Sequence, residues 1–92
     1  MAIRCTGIEM SKGGYHHEHI VQIQYIDTDG VTKWCTRAQM VEYIESGGQA
    51  YVRDARGDVA YLAARKSAYG NKYVQTYADG IWQDNLLALP RY

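Results

Sequence analysis

The chain has 92 residues, enough for one domain in which folding removes about two-thirds of the unfolded surface from water. Ten Lys and Arg balance ten Asp and Glu, which excludes a histone-like or membrane-surface protein that binds through its overall charge. Nine Tyr and two Trp with no Phe are typical of half-exposed faces, whether at protein interfaces or on half-buried strands.

The first third of the chain predicts strands separated by a polar loop. Residues 2–10 alternate in part and contain Gly7, which suggests a β-bulge. After the loop "SKGGYHH", residues 18–27 have the regular alternation of a strand with one strongly apolar face. "DTDG" at 27–30 then predicts a turn, from which "VTKWC" could return as a short hairpin strand.

A helix is predicted to begin after Thr36. The Thr36 side chain can cap the amide of Gln39, and the Gln39 side chain can reach back to the Thr36 amide, as in a capping box. The apolar side chains within 38–44 fall on one side, and "SGG" at 46–48 supplies a C-terminal stop. A helix of about ten residues needs a sheet to pack against.

The second half of the chain predicts a meander of three antiparallel strands, "QAYVRD", "VAYLAAR" and "NKYVQTYA". "RGD" at 56–58 is interpreted as a hairpin tip. In the tail we expect Leu86, Leu87 and Leu89 to cover an open end of the core. The predicted fold is a single α+β domain over residues 1–92: an antiparallel sheet of four to six strands with one helix packed on it, in the order β-β-(β)-α-β-β-β.

Cysteine content and hydropathy indicate the compartment. Cys5 and Cys35 lack CxxC spacing and are too few for a disulfide framework, so reduced, half-buried thiols are expected. The sequence has no apolar leader and no window approaching about 18 apolar residues. We therefore expect a soluble cytoplasmic protein, located in the host cytoplasm if a phage encodes it.

All three histidines lie in "GGYHHEHIV" at residues 13–21, which raises the question of a metal or catalytic site. His17 and His19 could hold two positions on a zinc ion, yet such a site needs three or four ligands and no second spaced pair is present. No motif supplies the orienting group and oxyanion hole that a cysteine nucleophile needs. We expect no metal, no cofactor and no enzymatic activity, and favour hydrogen bonds that pin residues 17–19 to the sheet. A small metalloenzyme using His17, His19 and a cysteine is the alternative.

The charge distribution predicts a contact site in the second half. Residues 1–50 hold four basic and six acidic side chains, whereas residues 51–92 hold six basic and four acidic. "ARKSAYGNKY" gathers cations and stackable rings at one hairpin end, suited to phosphates, bases or an acidic protein surface. The predicted partner-binding residues are Arg65, Lys66, Tyr69, Lys72 and Tyr73 in this hairpin, and Lys12, Tyr15 and His16 in a second loop. A merely solvated loop is the alternative.

Four stretches of the chain resemble a small bacterial and phage family known as domain of unknown function 3892. They are "HEHI" at 17–20, "IESG" at 44–47, "KYVQTYADG" at 72–80 and "NLLALP" at 85–90. The resemblance spans nearly the whole chain. It implies a shared fold and carries no established activity.

A compact, Tyr-rich domain of this kind also resembles phage-encoded anti-CRISPR proteins that inhibit the type I-F surveillance complex. This resemblance implies a non-enzymatic inhibitor that binds the complex of protein and guide RNA and blocks recognition of target DNA. The alternative is a nucleic-acid- or nucleotide-binding module of the uncharacterised family. That module would bind RNA or single-stranded DNA in a salt-sensitive way, and replacing Lys66 and Lys72 with Glu would abolish the binding.

Overall fold

The structure, a computed structural model, describes residues 2–14, 16–78 and 80–92. In chain order its elements are β1 (Ala2–Met10), a 3-10 turn (His17–His19), β2 (Ile20–Ile26), β3 (Thr32–Thr36), α1 (Arg37–Glu45), β4 (Gln49–Arg53), β5 (Val59–Lys66), β6 (Lys72–Ala78) and β7 (Ile81–Gln83). Within these residues the strands form one sheet in the order β3-β2-β1-β4-β5-β6-β7, and α1 packs against it. No helix in the described part of the chain is long and apolar enough to cross a membrane.

Neighbouring strands are antiparallel except β1 and β4, which are parallel. The exception follows from the connectivity, because β3 runs in the same direction as β1 and α1 returns the chain from β3 to the far side of β1. A crossover through a helix joins parallel strands, so β4 runs parallel to both. The predicted α+β class with one helix is confirmed, whereas a wholly antiparallel sheet of four to six strands is wrong. The seventh strand, β7, has three residues, too few to give a periodic pattern.

The core is built from alternate strand residues and the inner side of α1. Successive side chains of a strand point to opposite faces, so core residues two apart lie on the same face: they include Ile3 and Cys5, Ala50 and Val52, Ala60 and Leu62, and Val74 and Thr76. Gln75 is also buried, but it lies on the opposite face, where Arg65 contacts it. Met40 and Val41 of α1 are buried in the same cluster of apolar residues. The opposite face of β4 to β7 is left facing outward.

The C-terminal tail closes the core and extends the sheet beside β1. Leu86 is fully buried and the other two predicted leucines pack against the core, which confirms the expected role of the tail. β1 pairs with β4 only over Ala2–Arg4. Further along β1, the amide of Ile8 donates to the Pro90 carbonyl at 3.0 Å, and the amide of Tyr92 donates to the Ile8 carbonyl at 2.9 Å. The tail therefore occupies the position that the short β4 leaves.

The strand predicted over residues 18–27 begins later, at Ile20, because the three residues before it form the 3-10 turn. Two hydrogen bonds hold that turn, from the His19 amide to the His16 carbonyl at 2.9 Å and from the His16 amide to Nδ1 of His19 at 3.3 Å. His17 and His19 therefore do not share one face, as residues two apart on a strand would. The predicted irregularity at Gly7 is confirmed, since the register of β1 against β2 shifts between Cys5 and Gly7.

Helix α1 begins and ends as the sequence predicts. The Gln39 amide donates to Oγ1 of Thr36 at 3.1 Å, and the Thr36 amide donates to Oε1 of Gln39 at 2.9 Å. Two residues after the end of the helix, Gly47 adopts a φ of +101°. Residues other than glycine rarely adopt this conformation. Met40 and Val41 point into the core.

Replacing Thr36 with Ala is expected to lower the free energy of unfolding by about 1 kcal/mol, because one helical amide loses its cap. Thr32→Ala on the same strand is the matched control, since Thr32 is also exposed and caps no helix. Urea denaturation followed by far-UV circular dichroism measures both. Equal losses for the two variants would rule out the capping box as the source of the stability.

Candidate functional site

The basic hairpin predicted from the sequence connects β5 to β6. Arg65 pairs with Tyr73 and Lys66 pairs with Lys72 in the ladder between these strands. Tyr69 lies on the turn between them, and its side chain is 89% exposed. The five predicted hairpin residues thus all lie on the β5–β6 hairpin, on its two strands or on the turn between them.

The two faces of the sheet divide these residues. Lys66 and Lys72 point to the side of α1, where Nζ of Lys72 lies 3.1 Å from Oε2 of Glu45 at the end of the helix. Arg65 and Tyr73 point to the opposite, outward face, because neighbouring residues of a strand alternate. The contact site predicted from the sequence is therefore two surfaces on opposite sides of the sheet.

The second predicted loop meets the hairpin at Tyr73. Lys12 is exposed in a turn, and His16 is exposed just before the 3-10 turn. The ring of His17 stacks on the ring of Tyr73, with 6.4 Å between centroids and 27° between planes. Tyr15, the remaining residue predicted for this loop, lies outside the described residues.

A row of aromatic side chains crosses the outward face of β4 to β7. Tyr51 pairs with Tyr61, Tyr61 with Tyr77, and Tyr77 with Trp82 in consecutive ladders, so all four point the same way. Ring centroids are 5.9 Å apart for Tyr51 and Tyr61 and 4.8 Å apart for Tyr77 and Trp82. Tyr61, Tyr77 and Trp82 are 46%, 42% and 38% exposed. Four neighbouring strands thus present rings to solvent along one line.

Arg65 links this row to Tyr73. Its guanidinium carbon lies 4.2 Å from the centroid of the Trp82 ring and 5.9 Å from that of Tyr73, within cation–π range of both. Nη1 of Arg65 donates to Oε1 of Gln75 at 2.9 Å, and Nε2 of Gln75 donates to the Gln83 carbonyl at 3.2 Å. These contacts hold the guanidinium between the Trp82 and Tyr73 rings.

Strands β4 to β7 contain no Asp or Glu, although they contain four cationic residues. Two of the four, Arg53 and Arg65, share the outward face with the rings, and Arg4 of β1 pairs with Tyr51 on the same face. We call the surface formed by Tyr51, Tyr61, Tyr77, Trp82, Arg53 and Arg65 the aromatic face. Planar rings for stacking beside cations for phosphate contact are the combination that binds single-stranded nucleic acid.

On the outward face of β1 to β3, the C-terminal tyrosine packs against the sheet. The ring of Tyr92 lies over Gly7, where a Cβ would come within 2.5 Å of it, and meets the Trp34 ring edge-on at 5.6 Å. The tail thus contacts this part of the outward face, although Trp34 and Tyr92 themselves remain exposed.

His17 is a buried histidine at the border of the aromatic face. Only 7% of it is exposed, and its Nε2 has no hydrogen-bond partner among the described residues. Burial lowers the pKa of His17 below its ordinary value; Asp84 acts in the opposite direction, and Arg65 and His16 lower the pKa further. The imidazole is therefore held neutral near pH 7.

The stability of the domain is expected to fall as the pH falls through about 6.5, the ordinary pKa of histidine. The unfolded chain takes up a proton there, whereas folded His17 resists protonation, so acid favours unfolding. His17→Phe removes the part of this pH dependence that comes from His17. The other two histidines are present in both proteins, so their contribution to the pH dependence is the same in both. Urea denaturation at several pH values from about 7.5 down to about 5.5 measures the free energy of unfolding, which should fall more steeply with pH for the wild type than for His17→Phe. Parallel pH curves would rule out His17 as the source.

The two cysteines are free and lie on β1 and β3, with β2 between them. Burial raises the pKa of the Cys5 thiol to about 12 and that of Cys35 to about 11. Both sulfurs are therefore protonated and weakly nucleophilic at neutral pH. Within residues 2–14, 16–78 and 80–92, no group of three or more His, Cys, Asp or Glu is positioned to hold a metal ion.

The comparison with protein families identifies the family of this chain. A family model described as a protein of unknown function, DUF3892, matches residues 3–90. The chain belongs to the DUF3892 family. No curated protein and no solved structure matches it significantly. The sequence resemblance to this family is confirmed, and the resemblance of the DUF3892 chain to anti-CRISPR inhibitors stays a prediction.

Sequence reasoning located only part of the aromatic face of this DUF3892 protein. Arg65 was predicted, but the four rings of the row were not, because they come from four strands and meet only through the register of the sheet. One signal was available: Tyr51 and Tyr61 each lie between two apolar residues that alternation assigns to the core. Their outward direction follows from that pattern.

Proposed function

We propose that this DUF3892 domain is a non-enzymatic module that binds single-stranded nucleic acid on its aromatic face. The row of four rings across β4 to β7 is the observation that carries the proposal. Exposed aromatic rings on a sheet stack on unpaired bases, and four-stranded sheets of this kind are a common platform for single-stranded RNA. A duplex hides the faces of its bases, so a single strand fits this surface better.

Electrostatics supports the same partner. Arg53 and Arg65 lie beside the rings, Arg4 adjoins Tyr51, and no carboxylate lies within the four strands. The domain has no net charge overall, so long-range attraction to a polyanion is weak. Binding is therefore expected to depend on stacking on the rings together with a few phosphate contacts.

Fluorescence anisotropy with a labelled single strand of about 10 nucleotides tests the proposal, since such a strand matches the site size of comparable sheet modules. RNA and DNA single strands should bind, and a duplex of the same sequence should bind much more weakly. Salt should weaken the binding through release of counterions. Absence of binding to any single strand at low salt, or equal binding of the duplex, would exclude the proposal.

A pair of charge variants locates the surface. Arg4→Gln/Arg53→Gln removes two cations beside the row of rings and should weaken binding, lowering the slope of log affinity against log salt by about 1.4. Lys66→Gln/Lys72→Gln removes the same charge from the opposite side of the sheet and is the matched control. Near-normal binding is expected for the lysine pair. If the lysine pair alone loses affinity, the contact surface is the one that the sequence predicted, on the side of α1.

Inhibition of a type I-F surveillance complex is the second candidate. Tyr69 at the exposed hairpin tip, flanked by Lys66 and Lys72, is the feature that favours it, because such a tip could enter a groove shaped for nucleic acid. A pull-down with the purified surveillance complex, followed by a target-DNA binding assay, tests it. Association that leaves DNA binding and cleavage unchanged would exclude inhibition, and so would the absence of association.

A further inference from the structure

A crevice opens in the sheet where β1 and β4 part. These two strands pair over Ala2–Arg4, after which β1 continues to Met10 whereas β4 ends at Arg53. The C-terminal tail takes the place beside β1 from Ile8 onward. The space between has a volume of about 490 Å³. We call it the switch crevice, and its polar lining consists of Arg4, Thr6, Arg53, Asp54 and Asn85.

The order of the strands marks this crevice as a place for a ligand. From the end of β1 the chain turns to β2 on one side, and from the end of β4 it turns to β5 on the other side. In open α/β sheets, connections that diverge in this way from two parallel strands leave a crevice at the carboxyl ends of the strands, and ligands bind there. The parallel pair of β1 and β4 has the same divergence.

Two unpaired arginines give the crevice its charge. Arg4 and Arg53 are both exposed, and neither makes an ion pair or a side-chain hydrogen bond with another described residue. The side-chain amide of Asn85 likewise has no partner among the described residues. The carboxylate of Asp54 is turned into its own loop, where Oδ1 accepts from two backbone amides of the β4–β5 turn at 2.9 Å each. The crevice therefore presents cations and hydrogen-bond donors, which suit an anion.

Arg4 also continues the row of rings on the aromatic face. The four rings follow one another through ladder pairs from Trp82 on β7 to Tyr51 on β4, and the next pair in the same line joins Tyr51 to Arg4. A single strand that stacks on the rings therefore runs toward the switch crevice. The end of the strand that passes Tyr51 comes to lie beside Arg4 and Arg53.

Charge and size select the part of the strand that enters the crevice. Guanidinium groups bind phosphate oxygens through paired, charge-assisted hydrogen bonds. A phosphate at the end of a strand carries about two negative charges near neutral pH, whereas one inside the strand carries a single charge, so two arginines match the terminal group better. The volume lies within the range of about 300 to 1,000 Å³ typical of small-molecule sites, and Val52 and Leu89 add an apolar lining for the adjoining sugar.

We propose that the switch crevice holds the terminal phosphate of a bound single strand, with Arg4 and Arg53 on its oxygens. The stacked bases continue from Tyr51 along the row of rings. The site selects strands that end in a phosphate and fixes the direction in which they lie on the aromatic face. This inference rests on the proposed function and adds recognition of one end of the strand to it.

Oligonucleotides of one sequence and about 10 nucleotides test the inference when they carry a phosphate at the 5′ end, at the 3′ end or at neither end. Each competes, unlabelled, with a labelled strand in fluorescence anisotropy. A phosphate at one of the two ends should strengthen binding to the wild type about tenfold, as expected for one further hydrogen bond between charged groups. A phosphate at the other end should change the affinity little.

Two variants locate the effect. Arg4→Gln/Arg53→Gln should abolish the difference between the three strands, and Lys66→Gln/Lys72→Gln, on the opposite side of the sheet, should keep it. Thermal unfolding of the same samples verifies the fold. Equal affinity of the wild type for the three strands, an equal gain at both ends, or a gain that survives in the arginine variant would overturn the inference and leave the proposed function intact.

Mononucleotides keep the two proposals distinguishable. If the wild type binds no single strand, the proposed function fails, and nucleoside 5′- and 3′-monophosphates decide the inference by themselves. One of them should shift the nuclear magnetic resonance signals of the Arg4 and Arg53 side chains, and the parent nucleoside should not. Absence of such a shift would overturn the inference. An equal shift by inorganic phosphate at the same concentration would assign the crevice to the free anion and would likewise overturn it.

Discussion

Replacing Tyr61 and Tyr77 together with alanine is expected to weaken binding of a single-stranded oligonucleotide by about 30-fold or more. Each ring that stacks on a base contributes about 1 to 3 kcal/mol, and these two are the central members of the row. Both side chains are roughly half exposed, so the domain should remain folded. Fluorescence anisotropy gives the affinity, and thermal unfolding of the same samples verifies the fold.

Tyr69→Ala is the matched control for this pair. Tyr69 is highly exposed and was one of the partner-binding residues predicted from the sequence. It lies on the turn between β5 and β6, away from the row of rings. Its replacement should leave the affinity close to that of the wild type. A loss for Tyr69→Ala without a loss for the Tyr61/Tyr77 pair would move the contact to the hairpin tip and remove the basis of the proposed surface.

Leu86→Ala is expected to lower the free energy of unfolding by about 2 to 5 kcal/mol, a large part of the stability of a domain of this size. Leu86 is fully buried in the main apolar cluster, although it belongs to a tail without regular structure. Its truncation leaves a cavity that the neighbouring strands cannot fill by a small shift. Urea denaturation measures the change.

Leu87→Ala provides the comparison, because the neighbouring leucine is only partly buried. A clearly smaller loss is expected for it, since less apolar area leaves the core. If Leu86→Ala were as mild as Leu87→Ala, the tail would be an appendage and would not close the core. The cover of Gly7 by Tyr92 would then have little structural significance.

Local patterns account for the parts of the fold that the sequence predicts. The capping box at Thr36 and the glycine after α1 act within a few residues, so their effect is visible in the sequence. In β1, β4 and β5, apolar residues at alternate positions indicate that one face of the strand is buried. This pattern predicts a strand even when the neighbouring strands are not known. The tail leucines were predicted for the same reason, since an apolar run needs burial.

The elements that the sequence does not predict depend on distant parts of the chain. The parallel pairing of β1 with β4 follows from the path of α1 across the sheet, and β7 is a strand only because β6 pairs with it. The 3-10 turn depends on hydrogen bonds between His16 and His19, which the residue types alone do not reveal. Periodicity carries no information on any of these.

The candidate site divides in the same way. Arg65 and Tyr73 were predicted because cations and rings cluster in one hairpin, and the structure places both on or beside the aromatic face. Lys66 and Lys72 belong to the same cluster in sequence but point to the side of α1, since alternation separates neighbours. The row of four rings requires the register of three ladders, which composition alone cannot supply.

The fluorescence of Trp82 tests the central claim, that single strands stack on the aromatic face. The sequence has two tryptophans, so Trp34→Phe leaves Trp82 as the one reporter, and Trp82→Phe leaves Trp34, which packs against Tyr92. Titration with a single-stranded oligonucleotide should quench the emission of Trp82 saturably, at the concentrations where anisotropy reports binding, and should leave that of Trp34 nearly unchanged. Binding by anisotropy with no change at Trp82, or quenching at Trp34 alone, would be incompatible with stacking on this face.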